Sequence, residues 1–303
     1  MTVALAPQIG VVVRDWLNSN QIVLRGRQTV VIDTGYGRDA QETLRRVRAA
    51  LGARHPDCVV NTHCHSDHMG GNALLARSFA CPIAIPHGEA PLIERWDEQA
   101  LWLSYADQRC ERFAPARTIA PGERLEWGDA QWQAIPAPGH DMNALMFWCE
   151  TQRILISGDA LWENGFGVLL PDALREARLH ATRSTLEAIG ALKPRIVIPG
   201  HGAPFTDVAA ALDRAWRRLE ALAADELRMA RAVLRTMFVF SLLDRRALPA
   251  AGLPDRLASV PLYVDYNTRF FGHTPERLAQ WLLDDLVAAG AVIVRDGQLL
   301  PRG

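Results

Sequence analysis

An α/β sandwich, rather than an all-parallel doubly wound sheet, is the fold class this sequence predicts. Three observations carry it. Short β-branched runs recur through the first two thirds of the chain, helical stretches are interleaved with them, and from about Thr206 the texture becomes helical and rich in Arg and Ala.

In order, Ile9 to Val13, Ile22 to Leu24 and Thr29 to Ile32 read as strands, "DTG" as a turn and Asp39 to Leu51 as a helix. Asp57 to Asn61 is the next strand, and Gly70 and Gly71 lead into a helix through Phe79. "CPIAI" reads as another strand. Pro86 to Pro115 lacks strand alternation and reads as helix and loop. Strands resume at Gln131 to Ile135, Ala144 to Cys149 and Arg153 to Ser157; a helix over about Pro171 to Leu192 precedes the strand "RIVIPG". Helical sequence runs on to about Leu243, then a Pro-rich linker "ALPAAGLPDRLASVP". Thr274 as N-cap and Pro275 in the first turn predict a helix, and Asp296-Gly297 predicts the hairpin after it, so the end is winged-helix-like. The expected division is a catalytic domain over 1–210 and a mostly helical C-terminal region over 211–303.

The 303 residues suffice for a large core, and 49% hydrophobic with 22% charged is ordinary globular composition. A net charge of −1 provides no global field for nucleic acid or anionic lipid. The start has no basic segment and no stretch approaches the ~20 apolar residues of a membrane helix, so a cytoplasmic location is expected. Five cysteines at irregular spacing argue against a disulfide framework.

The chemistry is concentrated in "NTHCHSDHMGG", Asn61 to Gly71, with "PGHD" around His140, "ISGDALW" around Asp159 and "IPGHG" around His201. Each candidate ligand ends an apolar, strand-like run or sits in the loop after it, where strand ends on one sandwich edge can converge. The seven groups His63, His65, Asp67, His68, His140, Asp159 and His201 exceed what one four- or five-coordinate ion uses. Two ions sharing a carboxylate would use all seven. An all-N/O donor set suits zinc first, with iron or manganese also accepted.

In that order and context the motif resembles the metallo-β-lactamase superfamily, and within it glyoxalase II-like hydrolases, over roughly residues 9 to 206. The resemblance implies a four-layer αβ/βα sandwich with metals at one edge between two sheets. It implies that His63, His65 and His140 hold one ion, Asp67, His68 and His201 the other, and that Asp159 bridges them. It further implies a metal-bridging hydroxide attacking a small thioester, ester or lactone, with Asp67 orienting that nucleophile and passing its proton on. Asp33, Asp57 and Thr62 resemble positions behind the ligands that fix imidazole tautomers, although both aspartates also fit plain turn caps.

Other residues admit blander roles. Cys64 occupies a variable slot between two ligands and is expected to be a bystander. His55, His87, His180 and His273 read as ordinary histidines, with His180 the one that would border substrate. Trp96, Trp102, Tyr105 and Phe113 read as core aromatics, whereas Trp162 and Phe166 follow Asp159 closely enough to line a pocket. Arg214, Arg217, Arg218, Arg228, Arg231 and Arg235 form either a phosphate track or a solvated helix face, the second being favoured.

A cytosolic dinuclear hydrolase with a small-molecule substrate is therefore the leading expectation, with no membrane partner, with nucleic acid disfavoured but left open, and with a homodimer allowed. The alternatives are a lactamase-like ribonuclease or phosphodiesterase, an iron persulfide dioxygenase, and a regulatory module in which the winged C-terminal region binds a partner or nucleic acid.

Overall fold

The computed structural model describes residues 3–302. Two sheets face each other. The first holds β1 (Ile9–Val12), β2 (Gln21–Leu24), β3 (Val30–Ile32), β4 (Cys58–Val60), β5 (Ile83–Pro86) and β6 (Arg117–Ile119) in that spatial order. β1 to β3 pair antiparallel, and β3 to β6 parallel. The second sheet holds β7 (Arg124–Trp127), β8 (Ala130–Pro136), β9 (Leu145–Cys149), β10 (Ile154–Gly158) and β11 (Ile196–Pro199), antiparallel except for the parallel pair β10 and β11.

Period-two alternation explains the layering. Ile22, Leu24, Val30, Ile32 and Val60 point inward against Ala134, Phe147, Ile154, Ile156 and Ile198 of the second sheet. Their neighbours Val23, Val31 and Val59 point outward and are covered by α1 (Ala40–Leu51), α2 (Ser66–Met69), α3 (Asn72–Phe79) and α4 (Ala90–Arg95). Leu155 and Val197 point outward on the other side, beneath α5 (Arg175–Leu192) and α6 (Val208–Ala224). The result is the expected αβ/βα sandwich.

The expected division at residues 210–211 cuts through α6, whose buried Ala211, Ala215 and Leu219 pack with the second sheet's outer face. Beyond it, α7 (Glu226–Arg245), β12 (Leu248–Pro249), α8 (Leu253–Ser259), α9 (Pro261–Tyr266), α10 (Pro275–Ala288), β13 (Val292–Arg295) and β14 (Gln298–Pro301) build a second core. Thr274 caps α10, accepting from Arg277 N at 3.3 Å, and β13 and β14 form the hairpin with β12 added at its edge. The Pro-rich stretch is not a linker. Pro254 and Pro261 sit in the first turns of α8 and α9, where a missing N–H costs nothing, and Leu257, Leu262 and Tyr263 are buried. Among the described residues no helix is long and apolar enough to cross a membrane.

Candidate metal centre

β3 and β4 run parallel, as do β10 and β11, and contacts among the residues that follow them bring their carboxyl ends together at one edge of the sandwich. Asp33 follows β3, the His63–His68 loop follows β4, Asp159 follows β10 and His201 follows β11. His140 arrives from the turn between β8 and β9. All seven sequence-predicted groups converge.

They divide into two halves. His63 Nε2 lies 3.1 Å from His65 Nδ1, which lies 2.8 Å from His140 Nε2. On the other side His201 Nε2 is 3.1 Å from Asp67 Oδ2, and His68 Nε2 is 3.8 Å from that same oxygen. Asp159 stands between them: Oδ2 is 3.5 Å from His140 Nε2, while Oδ1 is 3.3 Å from His68 Nε2 and 3.8 Å from His201 Nε2. The donor atoms of His63, His65 and His140 lie within 4.8 Å of one another, as do those of Asp67, His68 and His201.

The residues behind these groups determine which nitrogen carries the proton. Asp33, held at φ +60°, accepts from Thr62 N at 2.9 Å, from Thr62 Oγ1 at 2.8 Å and from His68 Nδ1 at 2.9 Å. Three donors fix a strained backbone that most residues avoid. The carbonyl of Val168 can only accept, so His140 Nδ1 at 2.5 Å donates to it. His68 Nε2 and His140 Nε2 are thus both turned toward the carboxylate of Asp159. His68 Nε2 is wholly buried and makes no hydrogen bond. A buried ring nitrogen without a hydrogen bond, facing a buried carboxylate, is an arrangement that a cation between them would satisfy, and in this respect the residues fit a metal.

The protein's own charges are correspondingly frustrated. Burial and the neighbouring histidines pull His63 well below its ordinary pKa, and burial with His140 brings His65 to about 4. For His68 burial acts downward, but Asp159, Asp33 and Asp67 outweigh it and raise the imidazole. Burial acts upward on Asp67 and Asp159, yet His68 and His201 hold both below the usual carboxylate range.

Close approach is needed at Gly200, where a Cβ would sit 2.4 Å from Asp159 Oδ1. Asn20 fixes that loop, its N donating to Gly200 O at 2.7 Å and its amide to Pro199 O at 2.9 Å. Trp162 Nε1 donates to Asp159 Oδ1 at 3.1 Å and its ring lies 5.2 Å from His201. Above the ligands opens a largely apolar pocket walled by Trp16, Trp102, Trp162, Leu170, Met237 and Phe240.

Three expected residues fall elsewhere. Asp57 is exposed at the start of β4, the far end from the site, and accepts from Thr29 N at 2.7 Å. Phe166 turns into the core, and His180 is exposed on α5. Cys64 is buried among the helices covering the first sheet, and its thiol is pushed up by burial. The site also draws on Trp16, Asn20, the Val168 carbonyl, Leu170, Met237 and Phe240, none of which had a sequence signal. Asp141, whose Oδ2 stands 3.8 Å from His65 Nε2, is adjacent to a ligand in sequence but carried no signal of its own.

Residues 14–201 match the family model described as the metallo-beta-lactamase superfamily. The acyl-coenzyme A thioesterase MBLAC2 of Homo sapiens is 28% identical over 207 residues, 60% of this chain and 72% of that protein. A hydroxyacylglutathione hydrolase of Idiomarina loihiensis is 26% identical over 140 residues, covering 46% of this chain and under half, 44%, of that enzyme. Among solved structures, a metallo-beta-lactamase family protein from Thermus thermophilus superposes with a TM-score of 0.60 at 21% identity, covering 99% and 100% of the two chains. TTHA1623 in a di-iron-bound form superposes with a TM-score of 0.54 at 25% identity, covering 68% of this chain and 96% of its own.

Proposed function

The chain belongs to the metallo-β-lactamase superfamily, and from that premise we propose that it is a dinuclear metal-dependent hydrolase of small thioesters, with esters and lactones as neighbouring chemistries. The observation that carries this reading is Asp159, one oxygen toward His140 and the other toward His68 and His201. His63, His65 and His140 would hold one ion and Asp67, His68 and His201 the other, with Asp159 shared between them. Zinc is the first choice, and iron or manganese fits the same donors. Such ions supply an activated water and a Lewis acid for a carbonyl oxygen.

The chain's own residues do the rest. Asp67 lines the pocket, and its carboxylate would take the proton of the attacking water and return it to the departing sulfur. The new C–O bond forms as C–S breaks, leaving a carboxylate and a thiol. Leu170, Met237 and Phe240 hold the acyl part and exclude bulk water. The thioesterase and the hydroxyacylglutathione hydrolase among the relatives support a thioester as the first substrate class.

Protein purified without added metal, assayed for bound metal and against a thioester, ester and lactone panel, tests the reading. Two ions per chain and thioester cleavage are expected. RNA cleavage lost in His68→Ala, or oxygen consumption with glutathione persulfide and one iron per chain, would overturn it.

A further inference from the structure

A groove between α6 and α7 is lined by Arg217, Arg218, Arg228, Arg231 and Arg235, against two carboxylates, Asp225 and Asp285. Both carboxylates are engaged. Asp285 pairs with Arg235 at 3.0 Å, and Asp225 caps α7 by accepting from Arg228 N at 2.9 Å. Arg217, Arg218, Arg228 and Arg231 form no ion pair among the described residues. Arg218 is the most confined. Its guanidinium lies 4.9 Å over the Phe166 ring, and a Cβ on Gly165 would come within 2.7 Å of its Nη1. A half-buried cation without an anion is costly, and guanidinium groups match phosphate oxygens in pairs.

The groove adjoins the metal pocket. Thr236 lines both. On α7, Met237 and Phe240 wall the metal pocket, while Arg235, Arg231 and Arg228 recede from it turn by turn, so Thr236 to Arg228 spans about 12 Å of helix. The loop after Asp159 makes the same connection on the other side: Gly167 N donates to Asp159 O at 2.9 Å, and the preceding Phe166 lies under Arg218. A solvated helix face would need neither a groove nor the confinement of Arg218.

We propose that this groove binds the phosphate-bearing carrier half of the substrate, a phosphorylated or nucleotide-bearing thiol whose acyl thioester reaches the metal centre past Thr236. The proposal rests on the hydrolase reading for the direction in which substrate lies. Four arginines beside a chain of net charge −1 suit a small polyanion better than a long nucleic acid.

The probes are coenzyme A, unphosphorylated pantetheine and a short RNA, titrated by calorimetry into wild type and an Arg228→Ala/Arg231→Ala variant. The same acyl group on coenzyme A and on N-acetylcysteamine is assayed in parallel. Wild type should bind coenzyme A at least tenfold tighter than pantetheine, with an affinity that falls as salt rises. The variant should lose that margin, and the KM advantage of the acyl-coenzyme A should shrink at least tenfold. Equal binding of coenzyme A and pantetheine, an unaltered margin in the variant, or RNA binding in preference to coenzyme A would overturn the proposal. If neither thioester is cleaved but arginine-dependent coenzyme A binding persists, the hydrolase reading fails and the groove stands. Cleavage with no arginine dependence gives the reverse.

Discussion

Asp33 Oδ2 lies 2.9 Å from His68 Nδ1, with both side chains fully shielded from water. This one contact points Nε2 of His68 at Asp159 Oδ1, 3.3 Å away, and leaves it unable to turn away. It also ties the end of β3 to the loop after β4, since Asp33 binds Thr62 through both its amide and its hydroxyl.

Asp33→Asn should therefore weaken the centre without unfolding the protein, because asparagine tolerates the left-handed backbone of φ +60°. Loss of the charged acceptor behind a ligating histidine is expected to reduce metal affinity and kcat/KM by about 10–100-fold. Metal analysis after dialysis, with circular dichroism to verify folding, checks this. Full metal retention would remove Asp33 from the role.

Asp159→Asn should change the number of ions more than the fold. With the shared carboxylate neutralised, bound metal is expected to fall from two per chain towards one, and activity with it. Measuring metal content and thioester turnover on the same preparation decides the matter, and a variant that keeps two ions argues against sharing.

Chelation should lower the melting temperature as well as abolish activity. A ligand that binds only the folded state at 1,000 times its Kd stabilises by about 4 kcal/mol, and stripping it leaves His68 Nε2 and Asp159 facing each other at 3.3 Å. A melting temperature unchanged by a strong chelator would sink the assignment of these residues as a metal site.

The centre was legible where chemistry was local. Four ligands share one loop, and His140, Asp159 and His201 each close an apolar run whose direction sends them to the same edge. Asp57 misled because its place in the motif resembles a position behind the ligands, whereas it opens β4 at the end away from the site and its carboxylate holds the turn at Thr29. Phe166 misled because nearness in sequence to Asp159 says nothing about which way a loop side chain turns. The Val168 carbonyl and the wall from α7 left no trace, being a backbone atom in one case and a contact from a distant helix in the other. The helices α8 and α9 were hidden by their own prolines, which mark a helix start as readily as a linker.

Asp107 should make a pH-dependent contribution to stability. It joins the segment after α4 to Arg245 of α7 and Arg256 of α8. Burial acts upward on its carboxyl, but the two guanidinium groups hold it below its ordinary value. A depressed folded-state pKa means that the stabilisation is present above the unfolded carboxylate pKa and is lost as pH falls through the folded value. Asp107→Asn should cost about 1–2 kcal/mol at pH 7 in urea unfolding, partial exposure lowering the usual value for charged hydrogen bonds. The gap to wild type should narrow below about pH 4. A gap that widens on acidification would contradict the assigned sign.

Met237 should govern acyl length. It is half-buried on α7, lines the pocket above the ligands and receives a hydrogen bond from Gln108 Nε2 at 3.6 Å on its sulfur. Tryptophan there would fill space that a long acyl chain needs and an acetyl group does not. Each methylene excluded from an apolar pocket is worth about 1–3 kcal/mol of discrimination. Met237→Trp is thus expected to reduce kcat/KM for an octanoyl thioester at least tenfold more than for the acetyl thioester of the same thiol, with metal content unchanged. Equal losses on both substrates would show that Met237 supports the site rather than measuring the acyl chain.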